Sequence, residues 1–258
     1  MLAVPDLRER GNVFILATRR GQVKMLRPGD LAGIRTKGLI VMNLKEGDEV
    51  VSARIVKEGG DIIIVSEMGQ SIRFAVSEVR QMGRQAGGVA GIKLASNDQV
   101  VAMDVALQNG FLLTASRNGY GKCTKLANYR QQGRNGLGIR TFRVNEATGP
   151  VVAARVVTEA EGQEIMLISA KGQVIRVSLQ DFRVVGRNTQ GVRIWRDKVE
   201  DDYVASLTCL MPQDRGSEPT TNGASLNGLE DTQVAVAVAS PNGTSSEPND
   251  ADDEDGDE

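Results

Sequence analysis

Phe111-Leu-Leu-Thr-Ala-Ser116-Arg-Asn-Gly119 is an apolar run closed by Ser, two polar residues and Gly. The same phrase stands at Phe14-Ile-Leu-Ala-Thr18-Arg-Arg-Gly21, Ile62-Ile-Ile-Val-Ser66-Glu-Met-Gly69 and Ile165-Met-Leu-Ile-Ser169-Ala-Lys-Gly172. The Gly-to-Gly intervals are 48, 50 and 53 residues. A period near fifty means one supersecondary unit per repeat, packed against its neighbours.

The rest of the unit recurs too. A basic residue follows each hairpin Gly by three or four places: Lys24, Arg73, Lys122 and Arg176. A Gly-bounded loop comes next, at Gly33–Gly38, Gly83–Gly88, Gly133–Gly138 and Gly186–Gly191. Arg84, Arg134 and Arg187 stand in register within it, and the first loop carries Arg35 and Lys37. Each unit closes on a Val-rich segment beginning at Val50, Val100, Val151 and Tyr203.

The apolar runs are short and rich in Ile, Val, Leu and Phe, which suits strands buried on both faces. Thr/Ser-x-x-Gly reads as a tight hairpin, with Gly supplying the positive φ; Asn118-Gly119 is the strongest such dipeptide. A helical pattern is confined to short stretches such as Leu179 to Val184. Each repeat is therefore predicted to be an antiparallel sheet of about four strands. Strands apolar on both faces need cover on both sides, which sheets set radially as blades provide. A two-layer sandwich would alternate apolar with polar, and these runs do not. The fold predicted is all-β and propeller-like: a lead over residues 1–11, blades over 12–58, 59–108, 109–161 and 162–210, and a disordered acidic tail over 211–258.

The net charge of −2 hides an asymmetry. Residues 1–210 carry 30 Lys and Arg against 21 Asp and Glu, a net of +9; residues 211–258 carry one Arg against 12 acids, a net of −11. A basic body with cations at matching points of each repeat points to a polyanion. In the tail only Val234 to Val238 is apolar, too short for a core. There is no histidine, hence no Ser-His-Asp triad and no His-ligated metal. Neither a phosphate-loop motif nor a dinucleotide fingerprint occurs. Asp48, Asp98, Glu146 and Asp201 precede the Val-rich segments as turn residues. Cys123 and Cys209 read as reduced thiols, and no apolar run reaches the length of a membrane span. Aromatics are few, with Phe14, Phe111 and Phe142 in or beside apolar strands; backbone contacts to a duplex need Arg and Lys rather than rings.

Phe14-Ile-Leu-Ala-Thr-Arg-Arg-Gly-Gln-Val-Lys24, Asn118-Gly-Tyr-Gly-Lys122 and Val185-Gly-Arg-Asn-Thr-Gln-Gly-Val192, followed by an acidic tail, resemble the C-terminal domain of the DNA gyrase A protein over roughly residues 10 to 210. The resemblance implies a β-pinwheel, a disc with altered strand exchange between blades, whose basic rim wraps duplex DNA. It further implies a cytoplasmic, ATP- and Mg2+-dependent type II DNA topoisomerase holoenzyme that introduces negative supercoils. Its implied partners are the gyrase B protein and a second copy of the gyrase A protein. The topoisomerase IV counterpart is the alternative within the class, and a protein-interaction propeller the alternative outside it. Family domains commonly have six blades, so four repeats are expected to be a fragment lacking the first two and the cleavage domain. The family's Gln-Arg-Arg-Gly-Gly-Lys-Gly motif is absent; Gln85-Ala-Gly-Gly-Val-Ala-Gly91 keeps its glycines without its cations. None of Tyr120, Tyr129 and Tyr203 follows an Arg, as the family's cleavage tyrosine does. No catalytic residue, metal ligand or cofactor is expected in this chain. The DNA-contacting candidates are Lys24, Arg35, Lys37, Arg73, Arg84, Lys122, Arg134, Arg176 and Arg187.

Overall fold

The structure, a computed structural model, describes residues 11–31, 38–158, 163–196 and 201–210. The acidic tail, with its Val234 to Val238 segment, lies outside the described residues, as does all but the last residue of the lead.

Repeat 1 contributes β1 (Asn12–Thr18), β2 (Gln22–Leu26) and β3 (Val50–Lys57). Repeat 2 contributes β4 (Asp61–Ser66), β5 (Gln70–Ala75), β6 (Val89–Ala90) and β7 (Val100–Ala106). Repeat 3 contributes β8 (Phe111–Ser116), β9 (Tyr120–Lys125), β10 (Ile139–Arg140) and β11 (Val151–Val157). Repeat 4 contributes β12 (Glu164–Ser169), β13 (Val174–Ser178), β14 (Val192–Arg193) and β15 (Val204–Leu210). Helix among the described residues is limited to single 3-10 turns, such as Val76–Glu78 and Leu126–Asn128. Among those residues no helix is long and apolar enough to cross a membrane.

The repeated phrase builds the same hairpin each time. In the first unit Gly21 N–H donates to the Thr18 carbonyl at 3.0 Å, and the other three glycines repeat this bond at 3.0–3.1 Å. The glycines hold φ between +78° and +83°, the left-handed position a three-residue hairpin loop needs. Thr or Ser ends the apolar run for a reason. In repeats 1, 2 and 4 its hydroxyl accepts the N–H four residues on: Gln22 to Thr18 at 3.1 Å, Gln70 to Ser66 at 3.2 Å, Gln173 to Ser169 at 3.0 Å. The turn is held from outside as well. The Asp48 carboxylate accepts from Arg20 N–H at 3.0 Å and Asp98 from Met68 N–H at 2.9 Å. In repeat 4 the carboxylate that does this is Asp202, receiving Lys171 N–H at 3.1 Å, rather than Asp201. In repeat 3 the Asn118 side chain donates instead, to the carbonyls of Glu146 and Ala147 at 3.1 Å.

The four-stranded sheets are assembled differently from a simple reading of the repeat. Sheet 1 runs β3-β1-β2-β6, sheet 2 runs β7-β4-β5-β10 and sheet 3 runs β11-β8-β9-β14. Each outermost strand is thus two residues long and is supplied by the following repeat. Sheet 4, β15-β12-β13, has only three strands among the described residues. The architecture is a four-bladed, strand-exchanged β-propeller.

The Val-rich strands β3, β7, β11 and β15 pack side by side along the inner edge. Asp104 on β7 ties three of them together. Its carboxylate meets Arg54 of β3 at 2.7 Å and Arg155 of β11 at 3.6 Å, and accepts Val156 N–H at 2.9 Å. Apolar side chains fill the space between blades. Ile15, Ile62, Ile64, Phe74 and Met103 pack between blades 1 and 2; Ile63, Val65, Leu112 and Phe142 between blades 2 and 3; Leu113, Ile165, Leu167 and Trp195 between blades 3 and 4. Phe14, Phe111 and Phe142 are all buried, as expected of core residues. Strands β4 and β8 are covered on both faces, but β12 alternates: Ile165 and Leu167 are buried while Met166 and Ile168 are half-buried. The two-sided burial predicted for every apolar run fails in the fourth, because no fifth blade covers its outer face among the described residues.

Candidate nucleic-acid interface

The basic residues expected on the rim divide by environment. Lys24 and Lys122 are fully buried. Lys24 Nζ donates to the carbonyls of Arg84 and Ala86 at 2.6 and 2.8 Å. Lys122 Nζ donates to the carbonyls of Gly186 and Arg187 at 2.8 and 2.6 Å, and to Thr189 Oγ1 at 3.1 Å. Burial lowers both ammonium groups from their ordinary value. It takes Lys122 to about 7, with Arg187 adding repulsion, while Asp30 opposes the effect at Lys24. These two are not phosphate contacts. They clamp the Gly-bounded loop of the next repeat onto the blade, and the expectation for them is corrected. Sequence alone misassigned them because a cation beside a hairpin normally points to water.

Arg73 is also engaged internally. It pairs with Asp61 at 2.9 Å and reaches toward the Leu126 and Tyr129 carbonyls of the next repeat at 3.3 and 3.4 Å. Arg176, the matching residue of repeat 4, pairs with Glu164 at 3.1 Å, and its side chain is exposed. The loop arginines stand beside the outermost strands. Arg84 is exposed, whereas Arg134 and Arg187 are half-buried. Arg134 donates to the Ala90 carbonyl at 3.1 Å and Arg187 to the Arg140 carbonyl at 3.2 Å, so each links its loop to the strand exchanged one blade earlier. Arg35 and Lys37 lie outside the described residues.

The structure adds two sets of cations absent from the candidates above. After the 3-10 turns of repeats 2, 3 and 4 a buried apolar residue, Val79, Tyr129 or Phe182, anchors the chain, and the next residue is an exposed arginine: Arg80, Arg130, Arg183. After each exchanged strand a buried Ile92, Phe142 or Trp195 is likewise followed by an exposed Lys93, Arg143 or Arg196. Both sets keep constant spacing from the loop glycines, a signal present in the sequence. A buried anchor next to an exposed cation fixes where the charge stands at low entropic cost. Exposed cations held this way suit contacts to a phosphate backbone, which fix position without reading sequence. No group of three or more His, Cys, Asp or Glu residues suited to a metal is present among the described residues. Cys123 is buried and in no disulfide, its thiol pushed up to about 12 by burial.

Fold and surface together define a strand-exchanged β-propeller with exposed cations at matching points of successive repeats. The family described as "DNA gyrase C-terminal domain, beta-propeller" matches residues 12–57, 60–106, 110–158 and 163–210, one copy per blade, and the chain belongs to that family. Among curated relatives, the DNA gyrase A protein of Clostridium acetobutylicum is 44% identical over 192 residues, covering 74% of this chain and 23% of that protein. The DNA gyrase A protein of Chlamydia muridarum is 36% identical over 199 residues, covering 76% and 24%. The chain thus spans about a quarter of the length of these relatives. Of the solved structures, a DNA gyrase A C-terminal domain superposes with a TM-score of 0.71 at 26% identity, covering 81% of this chain and 68% of that one. The C-terminal domain of DNA topoisomerase IV gives 0.73 at 24% identity, covering 80% and 64%, a likeness of fold.

Proposed function

We propose that this chain is a sequence-independent duplex-DNA-binding module that wraps DNA along its rim and serves a gyrase-type topoisomerase. One observation carries the reading: exposed cations recur in register from blade to blade, at Arg80, Arg130 and Arg183 and again at Lys93, Arg143 and Arg196. A repeat of charge along a curved edge matches a repeat of phosphates along a bent duplex. Within a cytoplasmic holoenzyme that pairs two gyrase A with two gyrase B proteins, the module would present wrapped DNA, while ATP hydrolysis and strand cleavage belong to other parts. Gyrase is preferred to topoisomerase IV because the curated relatives above are gyrase A proteins, at up to 44% identity.

The test is binding of the chain to random-sequence duplex across a salt series. Neutralising about six phosphates gives a slope of log K on log salt of about −5. A flat dependence would point to a protein-interaction propeller instead. Wrapping is read separately, as a change in linking number when nicked circles are resealed with the protein bound. Binding without any such change would remove the wrapping half of the proposal.

A further inference from the structure

An asparagine followed by glycine is open to spontaneous deamidation, because glycine puts no side chain between the carboxamide and the next backbone nitrogen. Three such pairs fall among the described residues: Asn109-Gly110, Asn118-Gly119 and Asn135-Gly136. The fold treats them differently. Gly110 is buried, and its N–H donates to the Leu107 carbonyl at 3.2 Å. Gly119 is buried, and its N–H donates to the Ser116 carbonyl at 3.0 Å. The Asn118 carboxamide is held as well, by the carbonyls of Glu146 and Ala147 at 3.1 Å. In both pairs the nitrogen that would attack is covered and engaged.

Asn135-Gly136 lacks these restraints. Asn135 is exposed, and its carboxamide makes no hydrogen bond among the described residues. The Gly136 N–H donates no well-formed bond there either, whereas the matching Ala86 N–H of repeat 2 donates to the Gly83 carbonyl at 3.0 Å. The loop around the pair is fastened. Arg134 donates to the Ala90 carbonyl at 3.1 Å, Asn135 N–H to the Gly91 carbonyl at 2.7 Å, and the Gly136 carbonyl accepts Lys93 N–H at 2.9 Å. The matching places in repeats 2 and 4 read Gln85-Ala86 and Asn188-Thr189, so neither combines a short carboxamide with a following glycine.

We propose that Asn135 is a deamidation site, and that its conversion installs a carboxylate which weakens the chain's hold on duplex DNA. The Gly136 nitrogen gives its proton to solvent base and bonds to Asn135 Cγ. The Cγ–Nδ2 bond breaks and ammonia leaves. Water then opens the cyclic imide at one carbonyl or the other, giving aspartate or isoaspartate. Either product sets a negative charge next to Arg134 and beside the peptide that holds exposed Lys93. Isoaspartate also lengthens the main chain by one atom just before Gly138, whose seat is so close that a Cβ there would lie 2.4 Å from the Ser71 carbonyl oxygen. The site itself stands on the loop geometry; its effect on DNA rests on the function proposed above.

Peptide mapping by mass spectrometry, after incubation in mildly alkaline buffer, reads the site directly. In the folded chain Asn135 is expected to convert about fivefold faster than Asn109 and Asn118, the factor that one hydrogen bond at the attacking nitrogen is worth. In urea the three rates should converge. Asn135→Gly keeps the φ of +63° without strain and removes the carboxamide; Asn135→Asp makes the product directly. Aged wild type and fresh Asn135→Asp should bind random-sequence duplex about two- to fivefold more weakly than fresh wild type at low salt, with the difference shrinking as salt is added. Aged Asn135→Gly corrects for the further pairs at Asn222, Asn227 and Asn242, which lie outside the described residues. Conversion at Asn135 no faster than at Asn109 and Asn118, or equal losses of affinity on ageing in wild type and Asn135→Gly, would overturn the proposal. A fresh chain that binds no duplex would instead overturn the proposed function, and the mass readout would still decide the site.

Discussion

Replacing Lys122 by Met tests whether this buried cation is a clamp rather than a DNA contact. The ammonium holds the carbonyls of Gly186 and Arg187 and the Thr189 hydroxyl. Gly186 keeps a partner in the mutant, because Thr189 Oγ1 also donates to its carbonyl at 2.8 Å. The Arg187 carbonyl loses the Lys122 donor, and an orphaned buried acceptor costs about 1–3 kcal/mol. The expected loss at neutral pH is about 2 kcal/mol by urea unfolding. The pH dependence is sharper. Lys122 titrates near 7 in the folded chain against an ordinary value of 10.5. Between those values the unfolded chain holds a proton that the folded chain has released, so unfolding free energy climbs with pH. Below about 7 both states are charged and the full burial penalty applies. From about pH 7 to about pH 8.5 the wild type should gain about 1.5 kcal/mol from this group, a gain the Met variant lacks, so the gap between them widens. DNA affinity should fall as the Arg187 loop loosens, with the salt slope unchanged, since no exposed charge is removed. A gap that stays constant or narrows with pH, or a salt slope reduced by about one, would refute the clamp.

The rim makes the opposite forecast. Arg130→Ala or Arg84→Ala should leave stability within about 0.5 kcal/mol and lower the salt slope by about one, weakening all sequences alike, as measured by fluorescence anisotropy. Asp104→Ala removes the carboxylate shared by Arg54 and Arg155. Arg155 is 41% exposed and can rehydrate, so the loss should be about 2–3 kcal/mol, at or below the low end for breaking a buried pair, read by thermal or urea unfolding. Truncation after Leu210 removes a net charge of −11 from a +9 body. DNA binding should tighten, more at low than at high ionic strength, because a tethered polyanion competes best when screening is weak; equal affinities across the salt series would leave the tail no competing role.

Much of this architecture is legible in four glycines. The period, the hairpin at each Thr/Ser-x-x-Gly and the radial stacking follow from spacing and from apolar runs too uniform for a one-sided sheet. The strand exchange is implied by the family resemblance but not by the residue pattern, because β6, β10 and β14 are two residues long and no periodicity shows in two residues. The loops that carry them are visible, but which blade they complete depends on pairing at a distance. The site is half legible. The column of Arg84, Arg134 and Arg187 keeps its register in the loops, but only Arg84 is exposed, while Arg134 and Arg187 are half-buried and bonded to backbone carbonyls. Lys24 and Lys122 read as rim cations because their carbonyl partners lie about sixty residues away, at |i−j| of 60 to 65. Arg80, Arg130 and Arg183 escape a reading by residue type because their anchors Val79, Tyr129 and Phe182 differ from repeat to repeat and share only burial.

The exchanged strands also set a timetable for synthesis. When Leu26 has left the ribosome, the first hairpin is complete, yet its outer edge waits for Val89 and Ala90, more than sixty residues later in the chain. At about 5–20 residues per second that delay is about 3–12 s, long compared with hairpin formation in about 1–10 μs. Each blade that awaits a donor therefore passes through a period with an open edge, and the hazard of pairing with a neighbouring nascent chain on the same message falls in that interval. A lesion in a donor segment such as Gly138 to Phe142 would show itself first as misassembly of the blade already made.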